Sequence, residues 1–378
     1  MQTAQTQWLP QSGWRPADSS GATWKPDLAF AFGSRRVLTN AACMEALREA
    51  FPGVTLIGCS TAGEICGTTV QDDTLSVTAV RFDHTQVRFA REIVPDRSKT
   101  RPAARAIAEA LDHEQLVSVF VLSDGLTVHG PDLIAGIADA LPPEVVVTGG
   151  MAADASEFCE TVVLSEHGVE RNTILAVGFY GARLKVGHGS LGGWDPFGPF
   201  RRVTRASGQV LHELDGKSAL ALYKQYLGEH AAALPGSCLF FPLSVSRTRD
   251  EPGVVRTVLA IDEQAGTMIF GGDIPEGGYA QLMRANVDRL VDGALGAARA
   301  THEGGAPHPN LALLISCSGR RLVLRQRVEE EIEAVREVLG PGTTLSGFYS
   351  YGELAPSARG ASCELHNQTM TLVTLAEV

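Results

Sequence analysis

A strand-to-turn segment in the first part of the chain, GVTLIGCSTAGEI, concentrates residues that could contact a ligand. Gly58 gives the backbone conformations that other residues resist, so the chain can turn sharply after the strand. Cys59, Ser60 and Thr61 then offer a thiol, hydroxyls and backbone N–H groups, and Glu64 follows with a carboxylate. Since ligands of open α/β sheets bind at the carboxyl ends of strands, we predict that these five residues bind a ligand.

The last part of the chain repeats this pattern in GTTLSGFYSYGELAP. Phe348, Tyr349 and Tyr351 replace the small residues of the first copy, and Glu353 again follows a glycine. Carboxylates bind an ammonium group, while N–H and hydroxyl groups bind a carboxylate, so a cleft between the two turns would suit a small zwitterion. The alternative is that each glutamate hydrogen-bonds its own loop and each glycine only serves its turn.

The repeat is longer than the turn. EALREAFPGVTLIG aligns with EAVREVLGPGTTLSG after one inserted residue, and LAFAFGSRRVL parallels LALLISCSGRRLVL. A similar unit in the middle of the chain contains VVVTGGMAADA, which places Gly149 and Gly150 at a third turn of this kind. We therefore add these two glycines to the predicted ligand-binding residues.

A second interpretation of the first turn is a hydrolase. GCSTAG resembles the G-x-S-x-G nucleophile elbow, in which Ser60 would attack the substrate. An elbow needs a helix directly after the serine, whereas EICGTTVQDDT is rich in turn residues, and the other copy has Tyr349 in place of the serine. No complete catalytic set is present, so we expect that the protein is not an enzyme.

Haem without covalent attachment is a further possibility, because it needs only an axial ligand in an apolar slot. His188, in KVGHGSLGGW, ends a predicted strand beside flexible glycines and Trp194, and it is the strongest candidate for the axial ligand of a b-type haem. Trp194 is also among the predicted ligand-binding residues. His212 and His366 are alternatives. The competing explanation is that each histidine is simply hydrogen-bonded.

Composition limits the class of protein. The 378 residues carry a net charge of −11, which argues against a nucleic-acid surface, since phosphate contacts need a basic excess. Apolar residues make up 44% and charged residues 20% of the chain, as in globular proteins. Seven cysteines, an odd number, favour reduced thiols. The N-terminus lacks the pattern of a secretory signal, and no apolar run would insert into a membrane, so we expect a cytoplasmic protein.

Strand and helix patterns alternate along the chain. LAFAF and VTLIG are typical of buried strands, and TNAACMEALREAFPG of an amphipathic helix between them. LSVTAVRF and QVRFAREI predict a hairpin, and EGGYAQLMRANVDRLVDGALGAARA predicts the longest helix. This mixture indicates an α/β protein, with two related lobes whose mixed β-sheets are flanked by helices and which duplicate a strand–helix–strand–turn–strand unit.

Changes in composition suggest the domain limits. Residues 1–26 are polar and are predicted to form a tail. The stretch GSLGGWDPFGPF, rich in glycine and proline, indicates a boundary near Val203. The predicted domains are therefore 27–203 and 204–378.

Several separate blocks of this sequence together resemble the FIST family. They are LIGCSTAGEI, VVVTGGMAADAS, GWDPFGPFRRVTRASGQVLHELDGKSALALY, LLISCSGRR, GFYSYGELAP and ELHNQTMTL. They occur in the order of the family's FIST N and FIST C domains, and the resemblance covers the chain from about Asp27 onwards. It implies that the predicted domains 27–203 and 204–378 are FIST N and FIST C.

The resemblance implies an intracellular sensory module of signal transduction. Two ligand classes are attached to the family: amino acids or similar small molecules, and haem that senses nitric oxide, as in the NosP group. We expect a stand-alone haem-binding, nitric-oxide-responsive sensor, with an amino-acid sensor as the alternative. Its expected partner is a sensor histidine kinase or a cyclic-di-GMP signalling enzyme. The resemblance assigns no axial residue, so His188 rests on its sequence context alone.

Overall fold

The computed structural model of the protein describes residues 1–15, 24–302 and 307–378. Helices pack on β-sheets that contain both parallel and antiparallel pairs, which confirms the predicted α/β class with mixed sheets. Three of the sheets in the described part of the chain are built from three copies of one chain unit. The repeat predicted from both ends and the middle of the sequence is therefore a threefold one.

The elements follow in chain order. The chain begins with β1 (Gln2–Leu9) and β2 (Gly13–Arg15). Unit 1 contains β3 (Leu28–Gly33), α1 (Arg35–Leu38), α2 (Ala41–Ala50), β4 (Thr55–Ser60), β5 (Glu64–Cys66), β6 (Thr69–Gln71), β7 (Leu75–Arg81) and β8 (Gln86–Ile93). Unit 2 contains α3 (Thr100–Leu111), β9 (Leu116–Ser123), α4 (Gly130–Ala138), β10 (Val146–Met151), β11 (Val163–Ser165), β12 (Gly168–Glu170), β13 (Thr173–Tyr180) and β14 (Leu184–Leu191).

The second half contains a separate lobe and the third unit. The lobe contains β15 (Asp195–Pro196), β16 (Arg201–Ser207), β17 (Val210–Leu214), β18 (Lys217–Ser218), α5 (Ala219–Leu227), β19 (Leu243–Ser246), β20 (Val254–Arg256), β21 (Val258–Asp262), β22 (Thr267–Phe270) and β23 (Tyr279–Arg284). Unit 3 contains α6 (Val287–Ala300), β24 (Leu311–Cys317), α7 (Ser318–Leu324), α8 (Val328–Leu339), β25 (Thr344–Ser350), β26 (Gly352–Pro356), β27 (Cys363–His366) and β28 (Met370–Glu377).

The three units exchange strands. Their sheets have the orders β12-β11-β4-β3-β7-β1-β2, β27-β26-β10-β9-β13-β8 and β6-β5-β25-β24-β28-β14. In each sheet three central strands come from one unit, while the hairpin at one edge comes from another. The hairpin of unit 1 joins the sheet of unit 3, that of unit 2 joins the sheet of unit 1, and that of unit 3 joins the sheet of unit 2. The units are therefore interlocked in one body.

The three sheets face a common core. Phe30 of unit 1 meets Phe120 of unit 2 edge-on, with ring centroids 5.7 Å apart, and Phe32 lies 4.7 Å from Phe348 of unit 3. Burying side chains of this size contributes roughly 1.5–3 kcal/mol each. Because these ring contacts join side chains of all three units, the common core forms only when the three units are together. Its other large members are Leu28, Ile57, Leu122, Val177, Phe179, Leu313, Ile315, Val373 and Leu375.

Helices cover the outer face of each sheet. In α2 the buried residues Cys43, Met44 and Leu47 follow helical spacing, and the side chain of Asn40 caps the helix by accepting from the N–H of Cys43 at 3.1 Å. The other two sheets are covered by α3 and α4 and by α6 and α8. No helix in the described part of the chain is both long enough and apolar enough to cross a membrane.

The lobe has its own core, formed by residues such as Val203, Leu211, Leu220 and Phe270, and a sheet of antiparallel strands that is not shared with the units. The predicted boundary near Val203 falls on β16, inside this lobe. In chain order the lobe lies between units 2 and 3, so it is inserted into the interlocked body.

Part of the predicted N-terminal tail is a strand. Residues 2–9 form β1, which pairs with β7 along its length. The segment looked like a tail because it is polar, but its polar side chains bond within the body: the Gln5 amide donates to Thr78 Oγ1 at 3.0 Å and to the oxygen of Leu345 at 2.9 Å. Residues 16–23 of the predicted tail lie outside the described residues.

Two predicted elements were wrong. The expected hairpin of β7 and β8 does not form, because the strands enter different sheets. The Glu377 carboxylate holds the connection open by accepting from the N–H groups of Asp83, His84 and Thr85 at 2.7–2.9 Å. The long helix is shorter than predicted, since its first part is β23 and Asn286 caps the start of α6.

Three glycines allow paired parallel strands to lie unusually close together. A Cβ atom at Gly58, Gly149 or Gly347 would lie 1.7, 1.9 and 1.9 Å from a backbone oxygen of the adjacent parallel strand. Real Cβ atoms do not approach oxygen so closely, so any side chain here must push the strands apart. The glycines at the predicted sites Gly58 and Gly149 therefore serve strand packing.

Gly347→Ala should lower the free energy of unfolding by at least about 2 kcal/mol, because the methyl group overlaps backbone atoms that cannot swing away. The control is Gly342→Ala, where the added Cβ meets no atom within 4 Å. Urea denaturation of both variants measures the effect. A Gly347→Ala protein as stable as the control would contradict the packing role.

Candidate functional site

The turns predicted to face one another do meet, and a third turn joins them. Each turn follows the second parallel strand of its unit, after β4, β10 and β25. Backbone hydrogen bonds of 2.8, 2.8 and 3.2 Å link turn to turn: the N–H of Ala62 donates to Tyr349, that of Ala153 to Ser60, and that of Tyr351 to Met151. We call this arrangement the three-turn ring. It brings all three units together at one end of the body.

The two predicted glutamates are buried in their own units. Glu64 is 1% exposed and accepts hydrogen bonds from Thr61 Oγ1 at 2.5 Å and from the hydroxyl of Thr74 at 2.8 Å. Glu353 is fully buried and accepts from Ser350 Oγ at 2.8 Å and from the hydroxyl of Thr369 at 3.0 Å. The matching partners favour the alternative in which each glutamate bonds its own loop.

Burial also changes the protonation of these carboxyls. Removal from water raises the pKa of Glu64 and of Glu353 from 4.5 to about 8, although hydrogen bonds from the neighbouring threonines and serine oppose the shift. Both groups therefore hold a proton in the folded protein near neutral pH. They are poor partners for the ammonium group of a ligand.

Most other predicted ligand-binding residues also lie inside the body. Cys59 and Phe348 belong to the common core, and a Cβ at Gly150 would overlap Ile315. Ser60 is fully buried, and its Oγ accepts from the N–H of Val162 at 3.0 Å. The chain continues from Ser60 into β5 without an intervening helix, so the serine lacks the setting of a nucleophile elbow.

Tyr349 is part of a buried charged network. Its hydroxyl donates to Glu331 Oε1 at 2.6 Å, and Glu331 Oε2 pairs with the guanidinium of Arg320 at 2.7 Å. Both charged residues are fully buried, and Arg320 also donates to the backbone oxygens of Gly192 and Leu290. A buried pair of this kind needs every polar atom satisfied. The network ties the third turn to α8 and to the segment before the lobe.

Tyr351, unlike the other predicted residues of its turn, is only partly buried. Its hydroxyl donates to Asp154, and its ring stacks on Phe158 with centroids 4.7 Å apart. Asp154 also accepts from the N–H groups of Phe158, Cys159 and Glu160 at 2.8–3.0 Å. These donors satisfy the Asp154 carboxylate. The side chains of Glu157 and Cys159 also lie close to it, and the hydrogen bonds of this turn are enough to explain that closeness.

Trp194 and His188 lie apart from the ring. Trp194 is nearly buried beside the lobe and donates its N–H to the oxygen of Gln368 at 2.8 Å. His188 is half-buried on β14, opposite Val373 of β28. The glycines on either side of it press against the end of α6, since a Cβ on either would lie 2.1–2.3 Å from the backbone oxygen of Ala297 or of the C-cap residue Thr301.

An open cavity of about 530 Å³ lies between the three-turn ring and the lobe; we call it the junction cavity. Of the first turn, only Ala62 reaches it. The walls carry charges of both signs, hydroxyls and apolar side chains. They are formed by Ala62, Asp72, Ala155, Ser156, Leu239, Phe240, Ser318, Arg321, Leu322 and Arg325.

Arg321 organises one wall of the junction cavity. Its guanidinium donates to the backbone oxygen of Ala62 at 2.5 Å and to both oxygens of Asp72 at 2.6 and 2.7 Å, and it lies 5.6 Å above the Tyr349 ring. A two-pronged pair of this kind fixes geometry as well as charge. It connects unit 3 to unit 1. Arg325 also lines the cavity, and it makes no ion pair among the described residues.

Sequence reasoning found the turns but missed the cavity. The sequence patterns do not predict Asp72, Arg321 or Arg325 as site residues. A signal existed for Arg321, which is the second of the paired arginines in LLISCSGRR, directly after a strand that ends beside the third turn. That position, after the carboxyl end of a parallel strand, was the available signal. The lobe residues Leu239 and Phe240 had no such signal, because their place depends on how the lobe packs.

The pKa shifts of the two glutamates predict how stability depends on pH. A proton held in the folded state up to about pH 8 but lost near pH 4.5 in the unfolded state stabilises the protein fully below 4.5, and this contribution disappears as the pH rises to 8. A Glu64→Gln/Glu353→Gln double variant mimics the protonated form. Its free energy of unfolding should fall less than that of wild type between pH 5 and 8, by several kcal/mol for the two carboxyls together, since a pKa difference of one is worth about 1.4 kcal/mol.

Urea denaturation at several pH values measures this difference. The control is Glu333→Gln, an exposed position on α8, which should keep the wild-type pH dependence. Parallel pH profiles of the double variant and wild type would contradict the protonated state of the buried pair.

Comparison with known proteins agrees with the sequence resemblance. The FIST N domain matches residues 27–217 and the FIST C domain residues 219–356. An uncharacterized protein of Methanocaldococcus jannaschii is 25% identical over 320 residues, which are 76% of this chain; the chain spans 59% of the length of that relative. A cyanuric acid hydrolase from A. caulinodans aligns over 99% of this chain and 98% of its own, at 12% identity and a TM-score of 0.35. At that score the likeness carries no argument.

The two family matches follow one another along the chain, and the first alone spans about half of it. They cover all three turns of the ring and every residue that lines the junction cavity. The chain therefore belongs to the FIST family, whose domains are sensory domains of signal transduction.

Proposed function

We propose that the protein senses a small zwitterion, such as an amino acid, which binds in the junction cavity. The single observation that carries this proposal is the composition of that cavity, where Arg325, Asp72 and serine hydroxyls line one space of about 530 Å³. Cavities of this size suit small molecules. FIST family membership supports a sensory role, and the charges support the ligand class.

Each end of the zwitterion has a matching group. The Arg325 guanidinium makes no ion pair among the described residues, so it is available for the ligand carboxylate. Asp72 is 63% exposed in its side chain despite its pair with Arg321, and it can accept from the ligand ammonium. Leu239, Phe240 and other apolar wall residues would contact the ligand side chain.

The position of the cavity supports a mechanism of signalling. Its walls come from the three-turn ring on one side and from the lobe on the other, so a bound ligand contacts both bodies at once. A ligand that prefers one arrangement of lobe and ring shifts the population towards it. We propose that a partner, a histidine kinase or a cyclic-di-GMP signalling enzyme, distinguishes the two arrangements.

The binding proposal is tested by calorimetry against a panel of the standard amino acids. At least one should bind, and Arg325→Gln should weaken it about tenfold, which corresponds to the loss of one charge-assisted contact. The amide of the same amino acid, which lacks the carboxylate charge, should bind both proteins equally.

Arg327→Gln is the matched control, since Arg327 is also exposed but pairs with Asp288 and Glu330 away from the cavity. A flat response across the panel, or equal losses in Arg325→Gln and Arg327→Gln, would refute an amino-acid site in the junction cavity.

Haem binding with a nitric oxide response stays a prediction, as does likeness to the NosP group. His188 lies midway along the pairing of β14 with β28, and it is not among the residues that line the junction cavity. His366 is buried, its Nε2 lies 3.0 Å from the oxygen of Ala355, and burial lowers its pKa to about 4. Neither setting offers the apolar slot that a haem needs, so we propose no step through haem at these residues.

An absorbance scan of haem-reconstituted protein tests the haem alternative. If haem binds through His188, a Soret band should shift on addition of nitric oxide, and His188→Ala should remove or move that band. The absence of a Soret band in wild type would rule the haem alternative out. An unchanged band in His188→Ala would assign the ligand elsewhere.

A further inference from the structure

The lobe contains a second cavity, which we call the aromatic cavity. Its volume is about 670 Å³, more than that of the junction cavity. Four aromatic rings stand in its wall, together with one cation and one imidazole. These residues are Phe197, Tyr226, Phe240, Phe241, Arg284 and His230.

The aromatic walls define the shape of an occupant. The rings of Phe197 and Phe241 are 6.1 Å apart, and the His230 ring lies 5.4 Å from Phe241. At these distances the rings already attract one another and form one continuous aromatic surface, and a flat ring system laid on that surface gains the same attraction, which a chain-like molecule does not. The wall is largely apolar, and burial of a flat apolar ligand in it is favourable.

Arg284 defines the charge of the occupant. Its guanidinium lies 5.6 Å from the centre of the Phe197 ring and makes no ion pair with a carboxylate among the described residues. An exposed guanidinium beside an apolar cavity is suited to an anionic group on the ligand.

We propose that the aromatic cavity is a second ligand site, which binds a flat aromatic molecule with an acidic group. The rings lie among the aromatic walls and the acidic group pairs with Arg284. This site goes beyond the proposed function, because its ligand class and its residues differ from those of the junction cavity. Phe240 alone lines both cavities, so the two sites share one wall.

Two fluorescent probes that differ only in charge test the proposal. Anilinonaphthalene sulfonate is an aromatic anion with a flat naphthalene ring system, and phenylnaphthylamine has the same rings without the sulfonate. Both should bind the full-length protein saturably, with one site each. Arg284→Gln should weaken the sulfonate roughly fivefold and leave the neutral probe within about twofold.

Ala285→Trp fills the mouth of the cavity and should abolish binding of both probes. Arg205→Gln, an exposed arginine of the lobe outside both cavities, should change neither. Near-ultraviolet circular dichroism of each variant checks that the fold is intact. Equal effects of Arg284→Gln on both probes, probe binding that survives Ala285→Trp, or no binding by wild type would overturn the proposal.

Discussion

The close approach of paired parallel strands at three glycines is the constraint on which the rest of the structure depends. At Gly58, Gly149 and Gly347 the second strand of each unit lies against the first so closely that no Cβ fits. The chain can then leave each strand directly over the neighbouring unit and place its hairpin in another sheet. The exchange of hairpins and the ring of backbone hydrogen bonds follow from this geometry.

Polar groups near these close strand contacts are removed from water, and they form their hydrogen bonds within the protein. Glu64 and Glu353 take equivalent hydrogen bonds from hydroxyls of their own units, and Arg320 with Glu331 forms the buried pair beside Tyr349. Burying a charge without a partner costs several kcal/mol, whereas a fully bonded network fixes one arrangement of its neighbours. The residues that the sequence pattern predicts as a ligand site therefore stabilise the three-turn ring.

The sequence predicts the local structure well and the long-range structure only in part. Strands such as β3 and β4 follow from their apolar runs, and the repeated turns do converge. The exchange of strands cannot be predicted, because a hairpin has the same local sequence pattern whether it joins the sheet of its own unit or the sheet of another. Glu377, which separates β7 from β8, lies almost 300 residues from them. The burial of the turn residues is created by the other two units, so the local sequence pattern does not predict it.

Interlocking also explains where a sensory response can arise. The three units share one core and one ring, so a shift of any one must break contacts in the other two. The lobe has a separate core and meets the ring across the junction cavity. Many switching proteins combine a rigid packed part with a part that shifts, and we expect any response to be carried by the lobe rather than by the interlocked units. Phe240 lines both cavities, so a molecule bound in either one would contact the lobe without opening the common core.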